Sequence, residues 1–205
     1  MKVLLINGSP KQDGCTKRAL NEMKKIFLQE GIEVQEFDIG TNQIRGCVDC
    51  KTCYKTGKCV FDDVVNKAAK LFEEADGIVI GSPVYYSSPN GSLISFLDRL
   101  FYSTHFSKRF KVGASVTSCR RAGNTANYDI INKYFGISEM PIASSTYWNM
   151  VFGKSKEEVE HDKEGLQTMR VLARNMVFLM KAIKLLKDKE GLPESEESIR
   201  TNFIK

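Results

Sequence analysis

Four of the six cysteines in this 205-residue chain fall close together, as Cys47, Cys50, Cys53 and Cys59 in the spacing C-x2-C-x2-C-x5-C. Unpaired cysteines are ordinarily scattered as small hydrophobes, so this density calls for a chemical reason. Thiolates at such spacing can wrap one metal centre. Structural zinc sites usually set two knuckles across a longer gap. The run also differs from the ferredoxin pattern C-x2-C-x2-C-x3-C-P, and no proline follows Cys59. Gly46 and Gly57 supply the bends a compact loop needs. The spacing favours a 4Fe–4S cluster, with zinc or a reduced, metal-free surface loop as the alternatives.

Three further stretches carry candidate chemistry. Gly8-Ser9-Pro10-Lys11-Gln12-Asp13-Gly14-Cys15-Thr16 joins an apolar run to a helical pattern. Its glycines, hydroxyls, backbone amides and Lys11 suit a phosphate at a helix N-terminus. It matches neither G-x-x-x-x-G-K-[ST] nor G-x-G-x-x-G, and an ordinary strand-to-helix loop is the alternative. In Gly81-Ser82-Pro83-Val84-Tyr85-Tyr86-Ser87-Ser88-Pro89-Asn90-Gly91 two prolines stiffen the turn and two tyrosines offer flat faces. A planar ring can rest on that backbone, or the tyrosines can simply pack. Thr117-Ser118-Cys119-Arg120-Arg121-Ala122-Gly123-Asn124 sets two arginines where they can offset an electron-rich ring or stay solvated. His105 and His161 lie far from the cysteines in sequence and read as surface groups. Tyr147 and Trp148 fit a cover, an interface or the core. No Ser/His/Asp arrangement is evident, and no side chain is assigned as a catalytic acid or base.

The elements that must position these loops follow from periodicity. Lys2–Ile6, Gly77–Ile80 and Lys111–Thr117 read as buried strands, Glu33–Ile39 as a strand nearer an edge, and Met140–Ala143 as a fifth. Helices are expected from Cys15 to a Gly31 cap, after an Asp62 or Asp63 cap, from about Gly91, over Ala126–Phe135 and over Lys163–Lys187. Alternation of strands and helices predicts an α/β fold, a five-stranded parallel sheet of order 2-1-3-4-5 with helices on both faces. Ligands then sit at the carboxyl ends of the strands, where strand order reverses. A cysteine loop (46–60) leaving strand 2 should emerge on that same side.

One domain over 1–187 and a polar C-terminal tail over 188–205 account for the length. The net charge of +5 is mild and dispersed, so it suits an anionic cofactor and does not require nucleic acid. The opening apolar run stops at Asn7-Gly8-Ser9-Pro10, too short for a signal sequence, and no later run approaches membrane-spanning length. A cytoplasmic location is therefore expected, where clustered cysteines bind metal or do redox work more often than they form disulfides.

Taken together, GSPKQDGCT, GSPVYYSSPNGSLISFLDRL and the Ser118–Gly123 loop resemble the NADPH-dependent FMN reductase superfamily of flavodoxin-like proteins. The cysteine run, followed by Val60-Phe61-Asp62-Asp63, resembles its iron–sulfur flavoprotein branch, as does Gly165-Leu166-Gln167-Thr168. The resemblance implies a flavodoxin-like three-layer sandwich. It implies FMN phosphate near Ser9, Lys11, Gly14, Cys15 and Thr16, and ring or ribityl contacts from Pro83, Val84, Tyr85, Tyr86, Ser118, Cys119, Arg120 and Gly123. It implies Cys47, Cys50, Cys53 and Cys59 as cluster ligands. Lys11 stands where arginine is usual, Cys15 where asparagine or serine is common, and Ser145–Asn149 departs from the cluster-bearing relatives. The implied activity is electron transfer between a reduced donor, NAD(P)H or a ferredoxin-like carrier, and an acceptor, in a homodimer or homotetramer. The alternatives are a cluster-free quinone, azo or nitro reductase and a zinc-stabilised binding module.

Overall fold

The structure is a computed structural model that describes residues 1–204. Its strands β1 (Lys2–Asn7), β2 (Glu33–Asp38), β3 (Gly77–Tyr85), β5 (Val112–Cys119) and β6 (Met150–Phe152) pair in parallel in the order β2-β1-β3-β5-β6. The short β4 (Ser88–Pro89) folds back antiparallel on the end of β3. This is the expected order, and it arises because each strand-to-strand crossover carries a helix: α1 (Cys15–Gln29), α3 (Val64–Glu74), α4 (Gly91–Ser103) and α5 (Asn124–Gly136).

Alternation in the central strands sends side chains to two cores. Val3, Leu5, Val79 and Val116 pack with α1 and with α7 (Lys163–Glu190) on one face. Leu4, Ile6, Ile78 and Ile80 pack with α3, α4 and α5 on the other. Met169, Met176 and Met180 of α7 are buried in the first core as filler. The polar tail begins only after Glu190, because α7 runs past the expected Lys187; its last residue, Lys205, lies outside the described residues.

The fifth strand is where sequence and structure part. Met140–Ala143 makes one bridge, Gly113 with Ile142, and the paired strand is Met150–Phe152. Met140 and Ala143 are buried, so their apolarity reports burial and not a ladder. Between the two segments the chain leaves the sheet for α7: Ser145 Oγ donates to the Thr168 carbonyl at 2.7 Å, and Asn175 Nδ2 to the Ser144 carbonyl at 2.8 Å. It returns where the Thr117 amide donates to the Asn149 carbonyl.

Candidate functional site

Parallel pairing brings the carboxyl ends of the strands to one edge, and β1 and β3 flank the point where strand order reverses. The turns after β1, β3, β5 and β6 meet there around an open cleft of about 340 Å³. Ser9, Lys11, Gly14, Cys15 and Thr16 line it from the first turn. Pro83, Val84 and Tyr85 line it from the second, and Ser118, Cys119 and Arg120 from the third. The first turn is held by buried Asn7, which the loop motif did not reveal. Its Oδ1 accepts from the Ser9 amide at 3.1 Å and its Nδ2 donates to Asp38 at 2.9 Å, while Ser9 Oγ accepts from the Lys11 amide. No side chain caps the start of α1 at Gly14, so first-turn amides are left for an anion. Thr16 and Ser118 join two of the turns through a 2.8 Å hydroxyl pair.

Neither thiol in the cleft is activated. Burial pushes the Cys15 pKa up, with the local backbone amide and Lys11 opposing, and the thiol donates to the Gly153 carbonyl at 3.3 Å. Burial likewise pushes Cys119 up, and its thiol donates to Asn124.

Two residues expected at the cleft do not line it. Tyr86 is fully exposed at the tip of the β3–β4 hairpin, where it and Ser87 both take positive φ, 50° and 58°. A two-residue hairpin of this kind normally uses Asn-Gly. Gly123, at φ 91°, supports the hairpin from behind: a Cβ there would lie 3.0 Å from Ser87 Cα and 2.9 Å from Val84 Cγ1. Sequence reasoning missed Lys154, Ser155 and Lys156, which also line the cleft. Lys156 pairs with Asp13, and Ser155 caps the short α6 (Lys156–Val159). The missing signal was the true fifth strand, whose end at Phe152 puts these residues at the carboxyl edge. Tyr147 and Trp148, ring centroids 4.9 Å apart, line a neighbouring hollow with Arg121, Gly123 and Phe152.

All four clustered cysteines line a second, much smaller cavity. Cys53 sits in a one-turn helix, α2 (Thr52–Thr56), bounded by left-handed Lys51 and Gly57. Cys59 is clamped by Asn66, whose side chain accepts from its amide at 3.1 Å and donates to its carbonyl at 3.0 Å. Asp63 caps α3 through the Val65 amide and binds Arg99 with both oxygens, at 2.7 and 2.9 Å. Arg99 is only 1% exposed. It also donates to the carbonyls of Arg45 and Phe61 and, through Nε, to Cys59 Sγ at 3.2 Å. Burial disfavours its charge, but the hydrogen bonds to Asp63 and Cys59 outweigh it and raise the Arg99 pKa. The guanidinium groups of Arg45 and Arg99 both lie over the Phe61 ring, 5.0 and 5.1 Å from its centroid.

The thiols differ. Cys50 is pushed down by the Thr52 side chain and amide, whereas Cys53 is pushed up by burial first and then by its three cysteine neighbours. Among the described residues no three His, Cys, Asp or Glu side chains converge as around a single ion. His105, distant in sequence, packs beside Gly57 of this loop.

The placement of this cavity corrects one expectation. Its α4 lining is Arg99, Tyr102 and Ser103, at the C-terminal end of a helix that starts just after the carboxyl end of β3. Arg99 is eight residues from Gly91, about 12 Å along the helix, and the two cavities share no lining residue. The long excursion after β2 carries the cysteines down the flank of α4, away from the cleft at the strand ends.

The profile of the NADPH-dependent FMN reductase family matches residues 1–154. An iron–sulfur flavoprotein of Methanocaldococcus jannaschii is 31% identical over 192 residues, covering 90% of this chain and 100% of that protein. One of Methanosarcina thermophila is 26% identical over 194 residues, covering 92% and 100%. Among solved structures, RosB with a bound formylriboflavin phosphate intermediate superposes with a TM-score of 0.74 at 14% identity, over 100% of this chain and 92% of that one. A flavodoxin from the Archaea gives 0.60 at 18% identity, over 88% and 99%.

Proposed function

The chain belongs to the NADPH-dependent FMN reductase family, in its iron–sulfur flavoprotein branch, and from this premise we propose that it passes electrons between a reduced donor and an acceptor by way of FMN in the strand-end cleft and a 4Fe–4S cluster in the cysteine cavity. Membership makes it a flavin-dependent oxidoreductase of flavodoxin-like fold. The observation that carries the reading is the pair of separate cavities, one with an uncapped helix N-terminus and the other with four cysteines on its wall.

The cleft residues fit FMN. The amides at the start of α1, Ser9, Thr16 and Lys11 suit the phosphate, with Lys154 nearby as further positive charge and Lys156 paired to Asp13. Pro83, Val84, Tyr85, Ser118, Cys119 and Arg120 offer backbone and side chains to the ring and ribityl chain, and Gly123 holds the hairpin in place. FMN, when bound, supplies exchange of a two-electron donor's hydride for single electrons. Arg120 offers positive charge to the ring, and the raised pKa values of Cys15 and Cys119 keep both as thiols, so neither competes as a nucleophile.

The cysteine cavity carries the donor types a cluster uses, though its side chains do not converge as around a single ion. It presents Cys47, Cys50, Cys53 and Cys59, a buried Arg99 donating to one sulfur, and the buried Ser103 hydroxyl with no partner among the described residues. A cluster there would add a one-electron carrier. The flank position of the cavity favours exchange with the flavin of another subunit, in a homodimer or homotetramer, over exchange within one chain. The donor is NAD(P)H or a ferredoxin-like carrier, with no nucleic acid involved. Among the described residues no helix is long and apolar enough to cross a membrane, which is compatible with the cytoplasmic location we assign.

Anaerobic purification with measurement of FMN, iron, sulfide and the visible spectrum tests both cofactors. One FMN with four irons and four sulfides per chain is expected, from the cluster stoichiometry. A yellow, iron-free protein after anaerobic reconstitution would leave a cluster-free reductase, and stoichiometric zinc without turnover would leave a binding module.

A further inference from the structure

Within the cysteine cavity, two polar side chains have geometries that packing does not explain. Arg99 is fixed by bidentate pairing with Asp63 and by the Arg45 and Phe61 carbonyls, yet its remaining Nε–H is directed to Cys59 Sγ at 3.2 Å. Ser103, four residues on and so on the same side of α4, is 2% exposed and lines the same cavity. A buried serine within a helix can return its hydroxyl to the carbonyl four residues back. The neighbouring Thr104 does this, donating to the Leu100 carbonyl at 2.7 Å. Ser103 does not, and its Oγ has no partner among the described residues. A buried hydroxyl without a partner is destabilising, so a group in the cavity that accepts its hydrogen bond would recover that loss.

We propose that Arg99 and Ser103 form a donor floor beneath the four cysteines and set the potential at which the metal group held there takes up one electron. This rests on the cluster reading given above. The physical reason is general: hydrogen bonds to thiolate or sulfide stabilise the more electron-rich state and raise its reduction potential. The equilibrium affected is one-electron uptake from an external reductant; neither residue gives up its proton and no covalent bond changes. Both are positioning residues, acting through sulfur.

The test is a dithionite titration of the anaerobically reconstituted full-length protein, with reduction followed by electron paramagnetic resonance and iron and sulfide assayed on the same samples. Ser103→Ala removes only the hydroxyl, Ser103→Thr keeps it, and Arg99→Lys keeps the charge while losing the directed Nε–H. Ser103→Ala is expected to retain iron and sulfide and to show a lower potential. A tenfold fall in the reduced-to-oxidised ratio at fixed ambient potential corresponds to about 59 mV for one electron. Ser103→Thr should return towards wild type, and Arg99→Lys should shift in the same direction as Ser103→Ala. The FMN titration in the same samples should not move, because the other cavity shares none of these residues. Whichever of Ser103→Ala and Arg99→Lys keeps wild-type iron must show the shift, and an unchanged potential there overturns the inference while leaving the cluster in place. A wild-type protein that holds no iron overturns the inference and the cluster reading together.

Discussion

At the scale of single residues, Cys50 and Cys53 are chemically unequal as free thiols. The Thr52 hydroxyl and amide favour the Cys50 thiolate, while burial and neighbouring thiols disfavour that of Cys53. A thiol whose pKa is lowered ionises at lower pH as pH rises, and the thiolate is the reactive form. In metal-free protein, iodoacetamide should therefore label Cys50 at a pH where Cys53 is still unmodified, as peptide mass spectrometry across a pH series would record. Thr52→Val should move the onset of Cys50 labelling to higher pH. Equal labelling of Cys50 and Cys53 at every pH would remove the inequality.

Elements are held to the cleft by contacts that tolerate little change. Gly123 combines φ 91° with backbone 3.0 Å from its would-be Cβ. Gly123→Ala should cost about 2 kcal/mol or more, from left-handed strain and displacement of the β3–β4 hairpin. Denaturant unfolding and FMN titration should show lower stability and weaker flavin binding together. A second joint lies at Glu22 of α1, which is buried and accepts from Arg170 of α7 at 2.7 Å and from Arg18 at 3.0 Å, with Arg18 also paired to Glu160 beside α6. Burial raises the carboxyl pKa, but Arg170, Arg18 and Lys25 together bring it below its ordinary value. A lowered folded-state pKa contributes stability above the unfolded value, near 4.5, and loses it as pH falls through the folded value. Glu22→Gln should thus lose stability at neutral pH and show a shallower acid decline below about pH 4.5. Because Arg18 and Arg170 retain some exposure, the neutral-pH loss should be about 1–2 kcal/mol, below that of a fully buried pair.

For the whole molecule, the separation of the two cavities sets the prediction. On the proposed assembly and cluster, subunits lacking the cluster through Cys53→Ser and subunits lacking FMN through Lys11→Glu should each be inactive in donor-to-cluster transfer. Mixed assemblies should regain part of it if electrons cross between subunits, and stopped-flow reduction of the cluster would read this directly. Failure of mixed assemblies, in the presence of a fully active wild type, would place transfer within one chain.

The sequence by itself determined the sheet order, the helices on both faces and most of the strand-end cleft. These follow from local signals: apolar runs, glycine-bearing turns and a cap such as Asp63, each specified within a few residues. It also placed the four cysteines close together, since their spacing is a local property. Tertiary structure alone decided the rest. The fifth strand is Met150–Phe152 because the chain detours to α7 through Ser144 and Ser145, and burial gave Met140–Ala143 the same apolar look as a strand. Lys154 and Lys156 reach the cleft only through that shift. Arg99 and Ser103 read in sequence as two polar residues in an amphipathic helix, and only the fold of the loop against α4 shows what they face. A contact across 40 residues, Arg99 to Cys59, leaves no periodicity to detect, because it depends on where two elements pack and not on what either prefers alone.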